Sequence, residues 1–281
     1  MPLRRSADTA AAPVTGPQAW PVHRWKNGAW QHFADDISPE VPVLVRWADG
    51  ERLLWAWPED LAPLCLGHVL LDCRAEAAAL PEATPLPRMR GSVRPLTPPP
   101  DSPAHAAFQV ALTPAAPLPR PAHPADSLNP PEILRRMEEF LHMQGACPDL
   151  WAATGCFHRA ALFAPAEGAF LHLAEDIGRH NCLDRLAGWA CLHGAEPSGL
   201  ALFVSARITA SLYAKARRAG FRCIISRSAV TTAAVTLAQR DGKAGDSVTL
   251  IGFCRPLEHR FTVFAGGMGR GSASCPLPPP C

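Results

Sequence analysis

Residues 202–228 read LFVSARITASLYAKARRAGFRCIISRS. The apolar run Leu200–Ser205 has strand character. Thr209 opens a helical pattern that runs to Ala219 and closes at Gly220, and Phe221–Ser226 is a second apolar run. A short strand, a helix of about three turns and another short strand with brief joins make a crossover unit, which sets the two strands side by side and parallel. The same beat continues outward. Thr231–Arg240 reads as a helix that stops near Gly242, followed by strands at Val248–Phe253 and Arg260–Phe264. Upstream, Asn181–His193 is a helix ended by Gly194, and His158–Phe163 and Ala169–Leu173 are strands about the Glu167-Gly168 turn. Glu132–Gln144 is a helix with Ile133, Leu134, Met137, Phe140 and Leu141 on one face. The expectation for residues 131–265 is an α/β domain: a mainly parallel mixed sheet with helices on both faces.

The amino-terminal half has a different grain. Val41–Trp47 and Glu51–Trp57 flank Ala48-Asp49-Gly50 as a β-hairpin, and a helix is expected from Pro58 to about Cys73. Residues 81–131 are rich in proline and read as irregular connection with one strand at Ala106–Leu112. Residues 21–130 therefore form a smaller α+β part. Residues 1–20 read as a disordered tail and 266–281 as a flexible, cysteine-containing tail.

Composition narrows the function. The 281 residues carry a formal net charge of +2, too little for bulk capture of nucleic acid or of an anionic membrane. No apolar run has the length of a membrane span. The ten cysteines show no disulfide framework and no paired metal spacing, and no secretory segment precedes them, which points to reduced thiols in a cytoplasmic protein. Lysine occurs only at Lys26, Lys215 and Lys243, so the cations are overwhelmingly arginine, the side chain suited to bidentate oxyanion contacts.

The polar residues of the second half fall where strands end and helices begin: Ser205-Ala206-Arg207, Ser226-Arg227-Ser228, Phe253-Cys254-Arg255 and Gly178-Arg179-His180. Open α/β sheets bind ligands beyond the carboxyl ends of their strands, where helix amino termini add free N–H groups. Four arginines converging there suit an anion with several phosphates. Glu175 and Asp176 either meet ring N–H donors of a base such as guanine or buttress the arginines, and Asn181 caps the next helix. The plainer alternative is ordinary caps and salt bridges. His180, Cys182 and Asp184 do not share a helix face, so no metal site is assigned and no zinc is expected.

With these residues in view, a resemblance is clear. EDIGRHNCLDRLAGW (175–189), the block from Leu202 to Ala238, LIGFCRPLEHRFTVFAG (250–266), ATGCFHRAALF (153–163) and PEDLAPLCLGHVLLD (58–72) resemble, in order, the formate dehydrogenase accessory sulfurtransferase family, FdhD/NarQ. The resemblance implies a cytidine deaminase-like fold for the larger domain and a homodimeric, cytoplasmic sulfur carrier. It implies transfer of sulfur from a cysteine desulfurase to the molybdenum bis(molybdopterin guanine dinucleotide) cofactor before insertion into the formate dehydrogenase catalytic subunit. It places the cofactor loop at Phe253, Cys254, Arg255, Pro256, Leu257 and Glu258.

The chain also departs from that family. The family's persulfide loop, of CGxCG type, would fall within Leu86–Pro131, where no cysteine occurs. TGG becomes Thr154-Gly155-Cys156, SGR becomes Ser205-Ala206-Arg207, and SAPT becomes Ser228-Ala229-Val230-Thr231. Cys156, Cys254, Cys275 and Cys281 are the candidates for a relocated carrier. The alternative is a cofactor-binding chaperone without sulfur transfer. A zinc deaminase is disfavoured: Cys147-Pro148 has the reverse order of the Pro-Cys pair such enzymes need. No G-x-G-x-x-G follows a strand, against a dinucleotide dehydrogenase.

Overall fold

The computed structural model describes residues 16–79, 83–145 and 150–268. Cys147, Cys275, Cys281 and most of both expected tails lie outside these residues.

Among the described residues, twelve strands form three sheets. β1 (Gln18–Lys26) and β2 (Ala29–Ile37) make an antiparallel hairpin of their own, with Trp25 packed edge-on against Trp30 at 5.4 Å. The sequence pattern predicts no strands here, and residues 18–20, expected in a disordered tail, begin the first strand. β3 (Val41–Trp47) and β4 (Gly50–Ala56) form the expected hairpin. They share a four-stranded sheet, in the order β4-β3-β6-β5, with β5 (Met89–Leu96) and β6 (Ala106–Pro114). The Pro-rich stretch is thus not merely irregular. Pro95 is tolerated because β5 is an edge strand, which does not need every N–H.

The larger sheet runs β12-β11-β10-β9-β7-β8. Its strands are β7 (His158–Ala164), β8 (Ala169–Asp176), β9 (Ala201–Val204), β10 (Cys223–Ser226), β11 (Thr249–Arg255) and β12 (Arg260–Ala265). Only β9, β10 and β11 are mutually parallel; β7 runs against both β8 and β9, and β12 runs against β11. The expectation of a mainly parallel sheet is corrected to a mixed one. The two crossovers are as read, but tight turns join β7 to β8 and β11 to β12, and such short links can only reverse the chain.

Helix α1 (Leu61–His68) continues through a π-helical turn at Val69–Cys73 into α2 (Arg74–Ala77). α3 (Pro130–His142) starts at the Asn129 cap, whose Oδ1 accepts from the Glu132 N–H at 2.9 Å. A short α4 (Leu150–Thr154) precedes β7. α5 (Arg179–His193), α6 (Ala210–Arg218) and α7 (Thr232–Lys243) pack one face of the larger sheet, around Leu162, Leu202, Ile224 and Leu250. Ile133, Met137 and Phe140 of α3 cover the other face against Phe163, Phe203 and Ile225. α1 fills the smaller sheet, with Val43, Val45 and Val110.

The two cores meet at α5. A Cβ on Gly67 of α1 would strike the Asp184 backbone, and one on Gly188 of α5 would strike the Pro63 backbone, so the helices approach at two reciprocal glycines. A buried charge cluster joins the same elements. The Lys215 ammonium donates to Asp72 Oδ2 at 2.7 Å and Asp184 Oδ2 at 2.6 Å, and His68 Nδ1 lies 3.2 Å from Asp72. His68, Asp72 and Asp184 bring three donor atoms within 4.8 Å, and the ammonium occupies the cation position between the two carboxylates.

Arg185 is the second tie. Its Nε and Nη2 both donate to Asp176 Oδ2, at 2.9 and 2.6 Å, and its guanidinium also donates to the carbonyls of Trp57 (2.8 Å), Asp60 (2.8 Å) and Glu59. Both partners are almost wholly buried. Replacing Gly188 by Ala is expected to lower unfolding free energy by about 1–3 kcal/mol through overpacking. Arg185→Met strands a buried carboxylate and should cost about 3–5 kcal/mol. Urea denaturation of each variant measures both values.

Candidate functional site at the carboxyl ends of the strands

β8, β9, β10 and β11 all end at one edge of the larger sheet, and β7, running against them, begins there. Five junctions therefore share that edge. The loops are zipped together. Ser205 N–H donates to Arg159 O at 3.0 Å while Ser205 Oγ accepts from Arg159 N–H at 2.9 Å. Arg227 N–H donates to Val204 O (3.1 Å), Phe253 N–H to Ser228 O (2.8 Å), and Ile208 bridges Val230. Thr209 and Thr231 cap α6 and α7.

Ser205, Arg227, Ser228, Arg255, Pro256, Leu257 and Glu258 line a cleft of about 470 Å³, closed on one side by Leu141 of α3. Seven residues singled out from sequence thus meet in one space. Leu257 is 92% exposed, an apolar side chain held in water at the cleft mouth. Phe253 has φ 49°, in the left-handed region that a non-glycine residue occupies only at a cost. A break in the β11–β12 register produces this turn and brings the Arg255 and Arg260 guanidinium carbons within 5.5 and 5.7 Å of the Phe253 ring centre. Glu258 bonds both arginines, at 2.9 and 2.5 Å.

Other expected residues turn inward. Ser226 is wholly buried; its hydroxyl donates to Ala206 O at 2.7 Å and accepts from Ser228 N–H at 2.8 Å, so it fastens two loops and meets no ligand in the cleft. Asp176 is wholly buried too. Its Oδ2 holds Arg185, and its Oδ1 accepts from the Gly178 N–H and the Asn181 amide, both at 2.9 Å. It buttresses an arginine rather than offering an acceptor to a base. Glu175 likewise accepts from Arg159 Nε at 2.7 Å. Asn181 does not cap α5; Gly178 holds the cap position, and the Asn181 amide also donates to Trp55 O at 2.9 Å. Cys254 has no exposed surface, and burial pushes its thiol up to about 12, which removes it as an accessible thiolate.

Gly178, Arg179, His180 and Arg207 stand at the same edge but on the α5–α6 side, outside the cleft lining. His180 Nε2 is 3.1 Å from Ser211 Oγ. Burial, Lys215 and Arg179 depress its pKa to about 4, and burial with Arg179 and Arg207 lowers that of His158. Among the described residues no carboxylate pairs with Arg179, Arg207 or Arg227. Arg159 is the residue that the sequence reading left out: its Nη1 donates to Met143 O at 3.0 Å, tying the end of α3 to the edge. Its signal was available in the ATGCFHRAALF block, but only the antiparallel course of β7 brings that block to the edge.

Cys156 follows the Thr154-Gly155 turn, where Gly155 has φ 66°. It is exposed, whereas Cys65, Cys73, Cys182, Cys223 and Cys254 are buried and Cys191 is half-buried. No helix among the described residues is long and apolar enough to cross a membrane.

Comparison with known proteins fits this geometry. Residues 107–270, more than half of the chain, match the FdhD/NarQ family. The sulfur carrier protein FdhD of Chromobacterium violaceum is 38% identical over 139 residues, 50% of this chain and 47% of that protein. The protein FdhD of Methanocaldococcus jannaschii is 36% identical over 117 residues, 42% of this chain and 48% of that one. The chain matches about half the length of these curated relatives. A solved structure, described as that of a candidate formate dehydrogenase accessory protein from Desulfotalea psychrophila, superposes with a TM-score of 0.64 at 23% identity, covering 89% of this chain and 97% of that one, a likeness of fold. A chain with this sheet edge and this match along more than half its length belongs to the FdhD/NarQ family.

Proposed function

We propose that this protein is an accessory factor in formate dehydrogenase maturation, which holds the molybdenum bis(molybdopterin guanine dinucleotide) cofactor as cargo and passes sulfur to it. The observation that carries the reading is the set of guanidiniums without a carboxylate partner among the described residues, Arg179, Arg207 and Arg227, at the strand ends in and beside the cleft of Arg255–Glu258. Arginines without a carboxylate partner along one edge of a concave site suit the diphosphates of a guanine dinucleotide. The cytidine deaminase-like fold is part of the same proposal, supported by the order β8-β7-β9-β10-β11 with β7 reversed. So are a cytoplasmic location, a homodimer, a cysteine desulfurase as donor and the formate dehydrogenase catalytic subunit as client.

For the sulfur step, Cys156 is the carrier that the described residues favour, because it is exposed and lies two residues before His158 at the cationic edge. Its thiolate would attack the terminal sulfur of the donor's persulfide; the donor's S–S bond breaks and the donor thiolate leaves. The second reading, a binding chaperone without transfer, is favoured by the missing cysteines of Leu86–Pro131.

Three outcomes are expected. Arg207→Ala weakens GDP binding about tenfold in calorimetry, the loss of one charge-assisted contact; undiminished binding would count against the edge. Incubation with a cysteine desulfurase and cysteine adds one sulfur atom to the intact protein by mass spectrometry, and Cys156→Ser removes it. No gain beside a labelled relative would leave the chaperone. Finally, the low pKa of His180 means it is neutral at pH 7, and a nearby phosphate favours its protonated form. Binding then takes up a proton, so GDP affinity rises as pH falls from 7 toward 5, and His180→Asn flattens that slope.

A further inference from the structure

The same three parallel strands have a second arginine cluster at their opposite, amino ends. Ser198 precedes β9, Arg222 stands directly before β10, and Asp246 lies shortly before β11. Arg222 is 6% exposed. Its Nε donates to Ser198 O at 3.0 Å, and its Nη2 to Pro121 O at 2.7 Å and Ala122 O at 3.0 Å. Among the described residues its Nη1 has no acceptor and no carboxylate pairs with the group. Carbonyls offer only partial charge, so a full positive charge is buried here without a counter-ion, an arrangement that is costly unless an anion approaches.

The nearby Asp246 carboxylate is bonded to other arginines. Arg217, 1% exposed, is neutralised by Asp241 at 2.9 Å and by Asp246. Asp246 is shared with Arg120, whose side chain is 56% exposed. Burial first, then Arg120 and Arg217, lower the pKa of Arg222 against the opposing carboxylates of Asp246 and Asp126. A pocket of about 320 Å³ opens on this cluster. It is lined by four guanidiniums, Arg88, Arg120, Arg217 and Arg222, against two carboxylates, Glu196 and Asp246, and its walls include Leu86 and Leu118.

We propose that this pocket is a second binding site, for a small oxyanion of the phosphate or carboxylate class held by Arg222 and Arg120. A guanidinium fork fits either oxyanion. The site is separate from the cleft at the carboxyl ends: the four residues of β9 alone put about 13 Å between them. It does not depend on what that cleft binds.

Thermal unfolding of the full chain tests the site, with inorganic phosphate and citrate titrated separately against chloride at constant ionic strength. A saturable rise in Tm with either anion is expected, and the anion that saturates identifies the class. The rise should persist in the Arg227→Ala/Arg255→Ala variant of the cleft. Arg120→Ala should raise the midpoint concentration about tenfold; it leaves Asp246 paired with Arg217, so the variant keeps the local fold even if Arg222→Met does not. Absence of a saturable rise with both anions overturns the proposal. So does a rise that is lost in the cleft variant and unchanged in Arg120→Ala.

Discussion

The buried pairing of Arg185 with Asp176 decides where the functional edge stands. One guanidinium fastens the carbonyls of Trp57, Glu59 and Asp60 in the amino-terminal part to the end of β8. The other oxygen of Asp176 orders the Gly178 N–H and the Asn181 amide at the start of α5. A charge pair this deep adds little net stability over an apolar packing, but it is costly to break, so it selects one arrangement of the two parts over others. Arg179 and His180 inherit their position from it. The reciprocal glycines Gly67 and Gly188 permit the close helix approach on which that pairing rests.

Beyond this anchor, the carboxyl end of the sheet divides labour between polar residues that build and polar residues that remain available. Ser205, Ser226 and Asp176 spend their oxygens on backbone and side-chain partners. Arg179, Arg207 and Arg227 have no carboxylate partner among the described residues. Ser226 and Asp176 are wholly buried, Ser205 and Arg179 are half-buried, and Arg207 and Arg227 are exposed. The left-handed Phe253 and the register break beside it belong with the second group, because they turn Arg255–Glu258 out of the sheet and over the cleft.

Most of the larger α/β part was legible because its strands and helices alternate with short joins, and the apolar runs of β9 and β10 and the first four residues of β11 are buried. Strand direction was less legible. Nothing in HRAALFA distinguishes a strand running against its neighbours from one running with them; only the tight turn at Glu167-Gly168 hinted at it. β5 escaped because Gly91 and Pro95 interrupt its alternation, and the β1–β2 hairpin because its residues are mostly exposed on both faces. At the site, sequence located the junctions but did not tell Ser228, which lines the cleft, from Ser226 two positions before it, which is buried. That difference depends on which loop oxygen lies opposite, a matter of tertiary geometry.

The central claim is that the carboxyl-end edge, with Arg227 and Arg255–Glu258 at its heart, receives the nucleotide end of the cargo. Amide hydrogen exchange of the full chain with and without GDP tests it directly. The account predicts slowed exchange concentrated in residues 205–207, 226–228 and 253–258. Slowed exchange confined to the amino ends of the same strands, or none at saturating GDP, would contradict it.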